Sequence, residues 1–164
     1  MIVFNSLKQI KAISFDLDDT LYDNVPIIEK AEAWYQQMLA EHPFFVGKEL
    51  PSHEQLKQKL WKANHAIIDD VTKCRRQILY LRFLSAGLES EDAEINAELM
   101  LQKFIEIRSE LMVPDESIKL LKHLKKKYPL VAITNGNVDI EKIGISHLFD
   151  VYLRATENLR AKPA

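Results

Sequence analysis

The chain has 164 residues, 47% hydrophobic and 28% charged, with a formal net charge of −2. That balance suits an ordinary globular protein with a real core. It lacks the positive excess that holds nucleic acid or an anionic membrane by bulk electrostatics. The five histidines are scattered with no pair at ligand spacing, which argues against a zinc site. One cysteine, Cys74, rules out an intrachain disulfide and fits a reducing compartment. Cys74 lies in a helical-looking stretch and is expected to be an inert thiol. "MIVFNSLKQIKAISF" lacks the apolar core and cleavage site of a signal peptide, and no apolar run reaches membrane-spanning length. The expectation is a cytoplasmic protein with no nucleic-acid or membrane partner.

In chain order, residues 10–16 form a short apolar run that stops at Asp16 and reads as a strand buried on both faces. Four segments of helical periodicity follow. "IIEKAEAWYQQMLAEH" places Ile27, Ala31, Trp34, Met38 and Leu39 on one stripe, with Pro26 suited to its first turn. "EQLKQKLWKANHAII", "VTKCRRQILYLRFLSAG" and "SEDAEINAELMLQKFIEIRSEL" repeat the pattern. Gly87 is placed to stop the third, and Ser90 and Asp92 offer caps for the fourth. "PDESIKLLKHLKKKY" is acidic at its start and basic at its end, in the order a helix dipole favours. Its lysine run reads as a solvated helix end. "PLVAIT" is a second buried-strand candidate (129–134), "NGN" a turn, "DIEKIGI" a short helix, and "FDVYLRA" a third strand (149–154). The pattern is α/β, interrupted after its first strand by a helical insertion.

Ligands bind open parallel sheets beyond the carboxyl ends of the strands. Asp16 and Asp18 follow the first strand, while Thr134, Asn135 and Gly136 end the second. A bland reading, turn and cap residues, covers "DLDDT" alone. It explains less once a second strand ends in Thr-Asn-Gly and a Lys-Pro follows later. Two nearby carboxylates repel, so a divalent cation or a lysine is expected beside them. Hard oxygen ligands favour Mg²⁺. Together with a threonine hydroxyl, backbone N–H groups and a lysine, they suit a phosphoryl group. A carboxylate can then attack phosphorus in line, and a second can give the leaving oxygen its proton and later activate water.

"DLDDT" with "LYD" resembles motif I of the haloacid dehalogenase (HAD) superfamily, "ITNG" its motif II and "AKP" its motif III. The resemblance implies a Rossmann-like parallel core with an inserted all-helical cap of the C1 type. The core would comprise residues 1–22 and 113–164, and the cap residues 23–112. It also implies that Asp16 is the nucleophile and Asp18 the general acid/base. Asp16 and the backbone carbonyl of Asp18 would be Mg²⁺ ligands, Thr134 would bind the phosphoryl group, and Lys162 would neutralise it. Thr20 would brace the loop, with Asn135 and Gly136 presenting donors near the phosphate. Within the superfamily, "FDLDDTLYDN" and "VAITNGN" most resemble bacterial phosphatases of flavin mononucleotide and of a phosphorylated ribityl intermediate of riboflavin synthesis. The family's dehalogenases attack carbon and need no leaving-group acid at the position of Asp18, so its presence favours phosphate esters. The expected partner is a small phosphorylated metabolite.

Further contacts are expected from Tyr22, Asp23 and either Arg75 or Arg76, since adjacent helical residues point about 100° apart. A surface salt bridge is the alternative for either arginine. Trp34 and Trp61 could stack on a flat ring, though their helical spacing fits core packing better. The family's fourth, acidic motif has no counterpart before Ala164. The expectation is therefore a truncated chain with an open edge beside its first strand and impaired catalysis. A non-catalytic phosphate-binding module is one alternative. A signalling receiver domain is another, disfavoured by the long helical insertion.

Overall fold

The computed structural model describes residues 9–156 and 158–163. Three strands, β1 (Ile13–Phe15), β2 (Leu130–Thr134) and β3 (Val151–Arg154), form a parallel sheet in the order β1-β2-β3. Ile13 pairs with Leu130, and Val131 with Val151. Parallel pairing brings the carboxyl ends of β1 and β2 to the same edge, so residues far apart in sequence meet there.

Only β2 is central. Its residues alternate between buried and half-buried. The expectation that β1 is buried on both faces is corrected: β1 lies at the sheet's margin with Ser14 exposed, and β3 at the other margin leaves Val151, Tyr152 and Leu153 exposed. β1 is also shorter than residues 10–16. The open margin expected beside β1 is present among the described residues, a feature usually associated with unwanted strand pairing.

Between β1 and β2 run α1 (Val25–Glu41), α2 (His53–Ala63), α3 (Val71–Ser85), α4 (Ser90–Arg108) and α5 (Asp115–Lys125). The second helical segment divides. Ser52 and Gln55 close a capping box on α2, and Asn64 ends it by accepting from Ala66 N–H at the head of a 3₁₀ turn. α3 ends where expected, with Gly87 at φ +91°. Ser90 is the first residue of α4 rather than its cap, and Glu89 stands at the cap position without a side-chain bond. "DIEKIGI" is a run of turns, not a helix. Asp139 Oδ1 accepts from Glu141 N–H (3.0 Å) and Lys142 N–H (3.2 Å), and Gly144 at φ +75° breaks the helical course.

Apolar packing falls into separate clusters. Leu17, Leu21, Leu121, Leu130, Ala132 and Ile145 gather between sheet, α5 and the following turns. Tyr35, Phe45, Phe83, Leu101 and Phe104 fill the space between α1, α3 and α4. Leu56, Ile67, Cys74 and Ile78 form a smaller cluster around α2. α5 carries Asp115 and Glu116 in its first turn and basic residues in its last. Lys125 is not merely solvated: its Nζ reaches Asp150 Oδ1 (3.3 Å) and the His147 carbonyl (3.1 Å). Asp150 in turn accepts the Leu130 N–H at 2.9 Å, so α5, β2 and the start of β3 are tied together.

Candidate active site

The loop after β1 is built by alternation. Leu17 is wholly buried in the sheet cluster, and its neighbours Asp16 and Asp18 face the other way. Asp16 Oδ1 accepts the Leu17 N–H at 2.8 Å. Asp19 takes a positive φ of 56°, a conformation aspartate tolerates, and its Oδ1 accepts from Asn24 N–H at 2.9 Å. Asp23 Oδ1 accepts from Val25 N–H at 3.0 Å, at the entry to α1. The four aspartates therefore divide: two face the strand ends, one shapes the turn and one leads into the helix.

Each of the first two has its own cation. Lys162 Nζ lies 2.9 Å from Asp16 Oδ2 and also donates to the Ile133 carbonyl at 2.6 Å. Asn135 holds this lysine by its backbone. Its Oδ1 accepts Lys162 N–H at 2.8 Å, and its Nδ2 donates to the Lys162 carbonyl at 2.9 Å. One of the two Nδ2–H donors of Asn135 is thereby committed to the Lys162 carbonyl.

Asp18 is paired with a residue that the sequence reading did not single out. Arg108 Nη2, from the last residue of α4, donates to Asp18 Oδ1 at 2.7 Å, and Tyr22 Oη donates to the same oxygen at 2.7 Å. Arg108 and Tyr22 are both buried. Burial, then the bond to Asp18, pushes the Tyr22 phenol far above its ordinary range, so it remains a donor. Tyr22 is thus a hydrogen-bond partner of Asp18. The basic end of α4 was the only sequence signal for Arg108.

Thr134 is buried, and its Oγ1 accepts Gly136 N–H at 2.9 Å. Gly136 is required by close approach: a Cβ there would lie 2.3 Å from Asp18 Oδ2 and 3.3 Å from Thr134 Oγ1. Thr20 is exposed in the turn and donates its backbone N–H to the Leu17 carbonyl. The sheet edge thus collects Asp16, Asp18, Thr134, Asn135, Gly136 and Lys162. Arg75 keeps other company. It pairs with Glu32 and lies over the Phe104 ring, 3.8 Å from its centroid, within the helical insertion. Arg76 takes the salt-bridge alternative with Glu94 and Glu98. Trp34 packs against the insertion's apolar cluster, whereas Trp61 is exposed beside His65. Cys74 is buried, and that burial raises its thiol pKa, as an inert role requires. Among the described residues no helix is long and apolar enough to cross a membrane.

The model of one protein family, described as haloacid dehalogenase-like hydrolase, matches residues 10–164. The chain belongs to the haloacid dehalogenase-like hydrolase family. It is 38% identical over 161 residues to the 5-amino-6-(5-phospho-D-ribitylamino)uracil phosphatase YigB of Escherichia coli K12, covering 98% of this chain and 68% of YigB. The crystal structure of a 2-haloacid dehalogenase from Pseudomonas syringae pv. tomato matches with a TM-score of 0.83 at 31% identity, over 92% of this chain and 66% of that one. YfnB of Bacillus subtilis shares the fold alone, at a TM-score of 0.50 and 18% identity over 90% of this chain and 66% of its own. The chain thus spans about two thirds of the length of these relatives. The family hydrolases share the α/β architecture, and the paired aspartates sit where that architecture collects ligands.

Proposed function

We propose that the chain hydrolyses a small phosphate monoester through a phosphoryl group carried on Asp16. The observation that carries this reading is the meeting of Asp16, Asp18, Thr134 and Lys162 at one sheet edge, each carboxylate with its own cation. An Asp16 carboxylate oxygen attacks phosphorus, forming an O–P bond as the bond to the ester oxygen breaks. Asp18, entering the cycle with its carboxyl protonated, gives that proton to the leaving oxygen, then takes one from the water that attacks the same phosphorus. The Asp16–phosphorus bond breaks, inorganic phosphate leaves, and both carboxyls return to their starting state. Lys162 offsets charge on the phosphoryl oxygens, with Thr134 Oγ1 and Gly136 N–H beside them. The helices of residues 23–112 would act as a cap that excludes water.

Mg²⁺ fits the donor chemistry: the Asp16 carboxylate and the Asp18 backbone carbonyl are hard oxygen ligands, and Mg²⁺ commonly binds through one or two carboxylates, waters and substrate phosphate. Among the described residues no group of three acidic, histidine or cysteine ligands gathers. Bound there, the cation would supply positive charge to the phosphoryl oxygens.

Likeness to a ribitylaminouracil phosphatase supports a substrate of the phosphorylated ribityl type, flavin mononucleotide among them. Likeness to a dehalogenase suggests carbon–halogen cleavage instead, but Asp18 has no evident task in that reaction. The test measures phosphate release from flavin mononucleotide and p-nitrophenyl phosphate, with Mg²⁺ and with chelator, against chloride release from 2-chloropropionate. Metal-dependent phosphate release is expected, and Asp16→Asn is expected to abolish both turnover and phosphoenzyme. Activity retained in Asp16→Asn removes the nucleophile assignment.

A further inference from the structure

Asp18 is held by more than its own loop. Both strong donors that reach its carboxyl converge on one oxygen, Oδ1: Arg108 Nη2 at 2.7 Å and Tyr22 Oη at 2.7 Å. The other oxygen, Oδ2, lies over the Cα of Gly136, where a Cβ would come within 2.3 Å of it. The same absent Cβ would lie 3.3 Å from Thr134 Oγ1, so Oδ2 and the Thr134 hydroxyl both crowd the place that Gly136 leaves without a side chain. A carboxyl with two donors on one oxygen carries its proton on the other, since a proton on Oδ1 would face two N–H or O–H groups head on.

Arg108 is an unusual residue to keep for stability. It is buried, and its Nη1 has no partner among the described residues. A buried ion pair is often no more stabilising than apolar residues of the same size, and an unfilled buried donor weakens it further. Its position is distinctive as well. It ends α4, and the next residue, Ser109, accepts the Asp139 N–H at 2.9 Å, in the segment that follows β2. Arg108 is therefore carried by the helical insertion and fixed against the loops of both catalytic strands.

We propose that Arg108 and Tyr22 are positioning residues for Asp18. They occupy Oδ1, and so dedicate Oδ2 to giving the leaving-group oxygen its proton. Seating of the helical cap then orients the acid, because the cap delivers Arg108. The proposal rests on the phosphatase reading above. In the step it serves, the ester P–O bond breaks, the proton passes from Asp18 Oδ2 to the departing oxygen, and Asp16 takes the phosphoryl group.

The readout is dependence on the leaving group. An alkyl ester such as glycerol 2-phosphate needs that proton, whereas p-nitrophenolate leaves without it. kcat/KM for both esters is measured in the full chain and in Arg108→Met, Arg108→Lys and Tyr22→Phe, because kcat/KM reports steps up to the first phosphoryl transfer. General acid catalysis contributes about 10²–10⁴-fold, so a displaced acid in Arg108→Met is expected to lower the alkyl-to-aryl ratio at least about tenfold. Arg108→Lys is expected to restore most of that ratio, and Tyr22→Phe to lower it about threefold or more. Equal losses on both esters in Arg108→Met and Tyr22→Phe overturn the proposal while leaving the phosphatase reading in place. Should Arg108→Met fail to fold, Tyr22→Phe, which removes one hydroxyl, decides alone: an unchanged ratio overturns the proposal. Absence of turnover of either ester by the unmodified chain overturns the phosphatase reading and this proposal with it.

Discussion

Gly136→Ala adds a single methyl group at the most crowded point of the site. Built on the present backbone, that carbon lies 2.3 Å from Asp18 Oδ2, and ordinary contact begins at 3.4 Å, a shortfall of 3.4 − 2.3 = 1.1 Å. Thr134 Oγ1 and Asp18 Cγ, both at 3.3 Å, leave little room for the methyl to slide aside. Asp18 must therefore swing by about an ångström, and its Oδ1 leaves hydrogen-bond range of Arg108 or Tyr22. Loss of one hydrogen bond to a charged group costs about 1.5–3 kcal/mol, so a drop in unfolding free energy of about that size is expected. A displacement of about 1 Å at a reacting group can lower turnover about a hundredfold. Thermal unfolding and p-nitrophenyl phosphate turnover measure the two effects on one preparation. A Gly136→Ala variant with both the melting temperature and the turnover of the parent would refute the reasoning, because the methyl would then have found space that this geometry does not provide.

Asn135→Ala removes both bonds that clasp the Lys162 backbone, at about 1 kcal/mol each. Lys162 Nζ is then expected to lose its fixed approach to Asp16, with turnover falling about ten- to a hundredfold while the melting temperature changes little. Asn135→Asp, which can accept from Lys162 N–H but not donate to its carbonyl, is expected to recover part of the loss in the same assay. At high pH, Tyr22, Tyr35 and Tyr152 should ionise late, because burial is the leading cause that raises each of them. The folded state keeps these protons after the unfolded chain begins to lose them near pH 10, so stability is complete below about pH 10 and declines above it. Absorbance at about 295 nm, where phenolate absorbs, should show these phenols ionising together with unfolding, and Tyr22→Phe should soften the alkaline decline.

Much of this arrangement was legible in the sequence because its signals are local. A strand broken by Asp-Leu-Asp-Asp-Thr puts two carboxylates at a sheet edge through alternation alone, and the buried Leu17 enforces it. Thr134 ends β2 and Gly136 follows it, at the same edge. What stayed hidden depends on distant partners. Arg108 lies 90 positions from Asp18, and its neighbours "IEIRSEL" read as an ordinary basic helix end. That Asn135 clasps the backbone of Lys162, 27 positions away, through both Oδ1 and Nδ2 is likewise invisible locally. Arg75 resembles a substrate contact until Glu32 and the Phe104 ring are found beside it. Burial of β1 was misjudged because strand order is a property of the whole sheet, and an apolar run reads alike at its centre and at its margin.

The two ion pairs at the sheet edge differ in a way that matches the two jobs assigned to their carboxylates. Lys162 and Asp16 have side chains 36% and 46% exposed, whereas Arg108 and Asp18 are 2% and 21% exposed. An exposed pair is worth about 0–1 kcal/mol, so Lys162 can release Asp16 to an incoming phosphoryl group, and turn to its oxygens, at little expense. Breaking a buried pair by removing one partner costs about 3–5 kcal/mol, so in the proposed cycle Arg108 would keep its place beside Asp18. A nucleophile must exchange its counterion for phosphorus on every turnover. A proton shuttle must keep one orientation through two opposite proton transfers. A lysine in the segment after β3, clasped by one amide, suits the first task. A permanently charged guanidinium held at a helix end suits the second, because it keeps a cationic donor on one fixed oxygen of the acid.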